Sequence, residues 1–178
     1  MLCTALLMPY IISVPCSIEA QAYAFGSYGQ TFYAYVKLNG VAVWQASWRG
    51  GTIPGEYPIY RGANIIIVDR STCTLQEWRN FDTSAVPNAA SELRDYLQAL
   101  RKGTVLVGVS CDEASNKLSA AESTLNGLGA DVSDVGWRGA WVFVAEIGDP
   151  AKTVLDKELT QAAANARQPQ ISAFFLGT

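Results

Sequence analysis

Histidine is absent from all 178 residues, which removes the commonest general base, the commonest zinc ligand and every Ser-His or Cys-His nucleophilic arrangement. Most hydrolase mechanisms go with it. Basic residues are also scarce, 13 Lys and Arg against 16 Asp and Glu for a net charge of −3. No positive field is available to gather phosphates, and nucleic acid is not an expected partner. The cysteines, Cys3, Cys16, Cys73 and Cys111, lie too far apart for the C-x-x-C spacing of redox or zinc motifs. Disulfides in an oxidising compartment are their expected use, with the pairing left open. No Asn-x-Ser/Thr sequon occurs. The apolar opening "MLCTALLMPYIISVPC" is shorter than the roughly 20 residues of a membrane-spanning helix, so no membrane span is expected. It also lacks a positive n-region and is broken by Pro9. We therefore read residues 1–16 as a retained apolar arm in preference to a secretory leader.

What the chain does have is apolar and aromatic material, 49% and 11% of its residues, at a length suited to one domain with a full core. "SIEAQAYAFG", "TFYAYVKLNG" and "VAVWQASW" read as strands, and Asn39-Gly40 between two aromatic and β-branched runs predicts a hairpin with a type I′ turn. "RGGTIPGEYPIYRG" reads as a surface loop. "ANIIIVDR" and "TVLVGVSCDE" are continuous apolar runs, as expected of strands covered on both faces, and "CTLQEWRNF" is placed to return beside the first. "NAASELRDYLQALRKG" predicts a helix carrying Leu93, Tyr96, Leu97 and Leu100 on one face and stopped at Gly103. "SNKLSAAESTLNGLGA" predicts a second, with Leu118, Ala121, Leu125 and Leu128 aligned. After Pro150, "AKTVLDKELTQAAANAR" has helical character and "QISAFFLGT" reads as a strand. The expected fold is an α/β sandwich of two β-sheets with two or three flanking helices, in which strand–helix–strand segments favour right-handed crossovers. Residues 17–150 form the expected domain, and residues 151–178 a helix-and-strand extension.

Polar candidates gather at few places. Asp112 and Glu113 follow a buried strand, where side chains emerge at a sheet end. Adjacent strand residues face opposite ways, so the two make a poor acid/base pair. Asp112 reads either as a ligand group or as a helix cap, and Glu113 as a solvated surface residue. Arg49, Arg61 and Arg138 are each followed by glycine, which leaves room beside a guanidinium fork able to bind hydroxyls or a carboxylate. Trp137 reads equally as core or as a stacking platform, and Trp141 as core.

The segments "RGANIIIVD", "FDTS", "LRKGTVLVGVSCDEASNKLS", "LNGLGA" and "GWRGAWVFVAEIG" occur in an order that resembles the interleukin-like EMT inducer family, or GG domain. The same segments resemble the stem domain of protein O-linked-mannose β-1,2-N-acetylglucosaminyltransferase. The likeness spans Arg61 to Gly148 and extends to Ile18–Trp44. It implies an extracellular, non-catalytic, carbohydrate-binding module for β-linked N-acetylglucosamine-type glycans or glycoproteins. Carried onto this chain, it assigns the sugar site to Arg61, Asp112 and Arg138, with Trp137 as an apolar face and with no catalytic residue, metal or cofactor. One position departs from the family pattern: Gly139 stands where relatives carry an acid. The bland counterpart of this trio is an Arg-Asp-Arg network that only locks loops. Two other functions stay open. One is a structural subunit of an extracellular assembly, self-associating through the N-terminal arm and the C-terminal strand. The other is a secreted cytokine-like ligand.

Overall fold

The computed structural model describes residues 15–24, 31–49 and 60–176. The expected N-terminal arm up to residue 14, and most of the 49–62 loop, lie outside them. The strands are β1 (Cys16–Gln21), β2 (Tyr23–Ala24), β3 (Thr31–Leu38), β4 (Val41–Arg49), β5 (Gly62–Asp69), β6 (Thr74–Phe81), β7 (Val105–Asp112), β8 (Ala140–Glu146), β9 (Asp149–Glu158) and β10 (Gln170–Leu176). The helices are α1 (Ala89–Ala99), α2 (Ser119–Gly127) and α3 (Gln161–Ala166). One sheet has the order β10-β1-β3-β4. The other has the order β6-β5-β7-β8-β9, with β2 added in parallel beside the end of β7.

Local chemistry accounts for most of these boundaries. Asn39 and Gly40 both take positive φ, +48° and +78°, as a type I′ turn requires. The Asn39 side chain also accepts the Ser17 backbone N–H at 2.8 Å, fixing the hairpin against β1. In the β5–β6 turn, Asp69 Oδ1 accepts the Ser71 N–H at 2.8 Å.

The period-two alternation of β5 divides its side chains between two cores. Ile66 and Val68 face the four-stranded sheet and meet Ile18, Val36 and Trp44, together with Val107 and Val142. Ile65 and Ile67 face the helices and meet Leu93, Leu97, Leu118 and Leu125, together with Trp141 and Phe143. A strand buried on both sides has no solvent-facing row of polar side chains, which is why β5 and β7 carry no polar alternation. Gly108 is needed inside this second core, because a Cβ there would lie 2.3 Å from the Phe143 ring on the neighbouring strand.

The layers are therefore sheet, sheet and helices, a mostly antiparallel β-sandwich with flanking helices. β6 and β7 both run antiparallel to β5 and so share a direction, with α1 in the connection between them. The α2 connection instead joins the antiparallel neighbours β7 and β8. Cys16 in β1 and Cys73 in the β5–β6 turn form a disulfide across a separation of 57 residues. It ties the two sheets together and, in the chain-entropy view, contributes about 4 kcal/mol. Cys111 is buried and free.

One element departs from the sequence reading. The helix expected after Pro150 is confined to α3, and the ten residues Asp149–Glu158 are β9. Val154, Leu155 and Asp156 pair across from β8, with Val154 opposite Val144, Leu155 opposite Phe143 and Asp156 opposite Val142. Pairing with a formed sheet outweighs weak helix propensity.

Candidate functional site

Gly62 takes a φ of +99°, and a Cβ there would lie 2.1 Å from the Phe81 carbonyl oxygen. Only glycine permits that approach, and it brings Arg61 against Asp82. The Arg61 guanidinium donates to both carboxylate oxygens, Nη2 to Oδ2 at 2.8 Å and Nε to Oδ1 at 3.1 Å. Asp82 Oδ1 also accepts the Ser84 and Ala85 backbone N–H groups at 3.2 and 2.9 Å. Burial alone raises the Asp82 pKa, but the Arg61 hydrogen bonds and these N–H donors hold it below the usual carboxylate value. Arg61 Nη1 has no partner among the described residues.

Gly62 pairs with Cys111 in the β5–β7 ladder, so Asp112 emerges beside Arg61 at the end of β7. It ends the strand in the left-handed region, φ +60°. Its Oδ1 is buried and accepts no hydrogen bond among the described residues. Burial pushes its pKa up to about 6. The Arg138 and Arg61 charges pull the other way, while Glu113 and Asp82 reinforce the rise. Asp112 is therefore no helix cap; the residue preceding α2 is Leu118, and no side chain caps that helix.

Glu113, expected to be a solvated surface residue, is buried at 4% exposure. Its Oε1 accepts the Ser115 N–H at 2.6 Å, the Ser115 hydroxyl at 2.7 Å and the Asn116 N–H at 3.0 Å. Its Oε2 accepts the Arg138 backbone N–H. The residue can be buried because its carboxylate is fully engaged by donors.

That contact positions the Trp137-Arg138 turn. The turn is also held by the Ser115 hydroxyl, whose one hydrogen is shared between Glu113 Oε1 and the Gly136 carbonyl at 2.9 Å, and by the Gly136 N–H donating to the Leu159 carbonyl at 2.9 Å. A Cβ on Gly139 would lie 2.6 Å from the Glu158 carbonyl oxygen and 2.9 Å from that of Leu159. The turn is thus closed onto the β9 end in a way that leaves no space for an acid at this position. Trp137 stands 60% exposed, with the Arg138 guanidinium over its ring at 4.1 Å from the centroid. Trp141, by contrast, is fully buried core.

Five non-glycine residues have positive φ among those described. Asn39 and Cys73 sit in hairpin turns, and the others, Tyr60, Asp112 and Arg138, border this cluster. Such backbone costs on the order of 1–3 kcal/mol per residue and gathers where function demands it. Arg61, Asp112, Arg138 and Trp137 are thus brought to one end of the six-stranded sheet, while the Arg49 side chain lies outside the described residues. Among the described residues no group of three or more His, Cys, Asp or Glu is placed to hold a metal ion.

The model of the interleukin-like EMT inducer family matches residues 61–149, from the first arginine of this cluster to the start of β9. The chain belongs to that family. No curated protein matches it. The interleukin-like EMT inducer segment contains every residue of the cluster, including the two that sequence reasoning missed. Asp82 lies in the quoted "FDTS", an Asp-Thr-Ser turn pattern that could have marked it as a backbone-binding carboxylate. Glu113 gave no such signal, because its burial depends on the distant turn at Arg138.

Proposed function

We propose that this member of the interleukin-like EMT inducer family is a non-catalytic, extracellular carbohydrate-binding module, selective for β-linked N-acetylglucosamine-type glycans. The observation that carries the reading is the buried Asp112 Oδ1, without a hydrogen bond among the described residues, under the charges of Arg61 and of Arg138, whose guanidinium lies over the exposed Trp137 ring. A buried polar atom without a protein partner is costly, and a sugar hydroxyl supplies the missing donor. Arg61 is held by Asp82 with Nη1 left to donate outward. Trp137 offers an indole against which pyranose C–H groups pack. A disulfide suits an oxidising compartment, and no helix among the described residues is long and apolar enough to cross a membrane. The resemblance of the segment to a transferase stem domain supports the choice of sugar.

The test is a calorimetric titration of the protein with a β-linked N-acetylglucosamine disaccharide, comparing wild type with Asp112→Ala. The reading expects weak wild-type binding that the substitution abolishes. It also expects weaker binding at pH 5 than at pH 7.5, because only the ionised Asp112 accepts through both oxygens. No binding by wild type, or binding unaffected by Asp112→Ala, overturns it.

A further inference from the structure

The outer face of the four-stranded sheet carries a second arrangement of ligand-type groups, not involving Arg61. In the β1–β3 ladder Gln21 lies opposite Tyr35, and in the β3–β4 ladder Tyr35 lies opposite Gln45. The three form a row Gln21-Tyr35-Gln45 across neighbouring strands, spanning roughly 10 Å at the usual strand spacing. Tyr33, two residues along β3 and so on the same face, extends the row lengthwise and is 52% exposed. These side chains and Ala34 line a groove of about 390 Å³.

The groove is partly built and partly open. Gln21 is fixed, its Nε2 donating to the Tyr33 carbonyl at 3.0 Å and to Gln168 Oε1. Lys37 lies over the Tyr35 ring at 4.6 Å and is itself paired with Glu19 at 3.3 Å, so the charged end of the row is neutralised. The Tyr33 and Tyr35 hydroxyls and the Gln45 carboxamide make no hydrogen bond among the described residues.

We propose that this face is a second binding site, for a neutral oligosaccharide. Carboxamides and phenols present donors and acceptors with no net charge, which matches sugar hydroxyls and gives an anion or an acidic or basic peptide nothing to pair with. Two tyrosine rings on one strand supply apolar surface for pyranose faces, and a row of this length fits a disaccharide or longer. The site is independent of Asp112, so one chain has two attachment points, and a glycan or surface engaging both is held by avidity.

The test is an amide NMR titration of the full chain with cellotetraose, maltotetraose and chitotetraose at millimolar concentration. At least one of these sugars is expected to shift the Gln45 carboxamide and the Tyr33 and Tyr35 signals. Tyr35→Ala is expected to weaken that binding roughly tenfold and Gln45→Ala about threefold, while Asp112→Ala leaves it unchanged. Gln45→Ala removes a side chain that makes no hydrogen bond among the described residues, so it carries the test where Tyr35→Ala fails to fold. The proposal is overturned if none of the sugars moves these signals, or if the shifts survive both substitutions. It is equally overturned if the face responds to protein concentration without sugar, which assigns it to a second copy of the chain. Binding lost in Asp112→Ala and kept in Tyr35→Ala and Gln45→Ala also overturns it and leaves the Arg61 site standing.

Discussion

Two aspartates flank Arg61, and the protein treats them oppositely. Asp82 accepts the arginine fork and two backbone N–H groups, and its pKa is held down. Asp112 leaves Oδ1 buried and without a hydrogen bond among the described residues, and its pKa rises to about 6. Glu113, next to Asp112 in the chain, falls on Asp82's side of this divide, with its carboxylate filled by Ser115, Asn116 and Arg138 donors. A carboxylate saturated by its own chain builds the fold. One left short of donors in the same cluster is either a defect or a place for something else.

Of the three carboxylates, the buried and saturated Glu113 should show the largest effect. Glu113→Ala strands three backbone N–H groups and frees the turn at Arg138, and is expected to lower stability by about 3 kcal/mol. Urea denaturation at neutral pH measures it as a fall in midpoint with little change in slope. A loss below about 1 kcal/mol would place Glu113 with Asp112 and break the comparison.

Asp112→Asn should do the reverse. Asparagine tolerates positive φ and keeps the shape, while the substitution removes a charge that burial disfavours. The folded pKa of about 6 lies above the roughly 3.9 of an unfolded aspartate. The folded state therefore binds more protons between those values, and stability falls as pH rises through that window. After allowance for partial exposure the cost at pH 7.5 is about 1–2 kcal/mol. Asp112→Asn is expected to recover that stability and flatten the slope, while losing sugar binding. Denaturation midpoints from pH 4 to pH 7.5 read the first outcome. A variant less stable than wild type at pH 7.5 would show that Asp112 builds the fold after all.

Asp82 gives the opposite slope. Its depressed pKa contributes stability that is present above about pH 4 and lost as pH falls through the folded value. The ion pair is part-exposed, with Arg61 at 39%, so Asp82→Asn is expected to cost only about 1 kcal/mol at neutral pH. The difference from wild type should shrink in acid, and the same denaturation series shows it.

How much of this was readable from the chain follows from how local each cause is. The Asn39-Gly40 hairpin and the alignment of Leu118, Ala121, Leu125 and Leu128 are dictated within a few residues, and they stand where the sequence puts them. Strand β9 was missed because its conformation comes from β8, not from "AKTVLDKE" itself. In the cluster, the Arg-Gly pairs and the family pattern marked Arg61, Asp112 and Arg138. Nothing local marked Glu113, whose burial is set by a backbone N–H 25 residues away. Gly139 read as a lost acid; the Glu158 and Leu159 carbonyls turn it into a position where no side chain fits.

The two tryptophans of "GWRGAW" separate binding from folding most sharply. Trp141 is fully buried and stacks on Phe143 at 5.6 Å, so Trp141→Ala is expected to cost about 3–5 kcal/mol. Trp137 is 60% exposed and touches the cluster through the Arg138 guanidinium, so Trp137→Ala is expected to change stability by no more than about 0.5 kcal/mol. Its effect should fall on the ligand instead, with sugar affinity reduced roughly tenfold by loss of the stacking surface and partly restored in Trp137→Phe. Titration with the N-acetylglucosamine disaccharide, alongside thermal unfolding of the same samples, separates the two quantities. Unchanged affinity in Trp137→Ala would leave Arg61, Asp112 and Arg138 to bind by hydrogen bonds alone, and the exposed indole would be spare to the site beside which it stands.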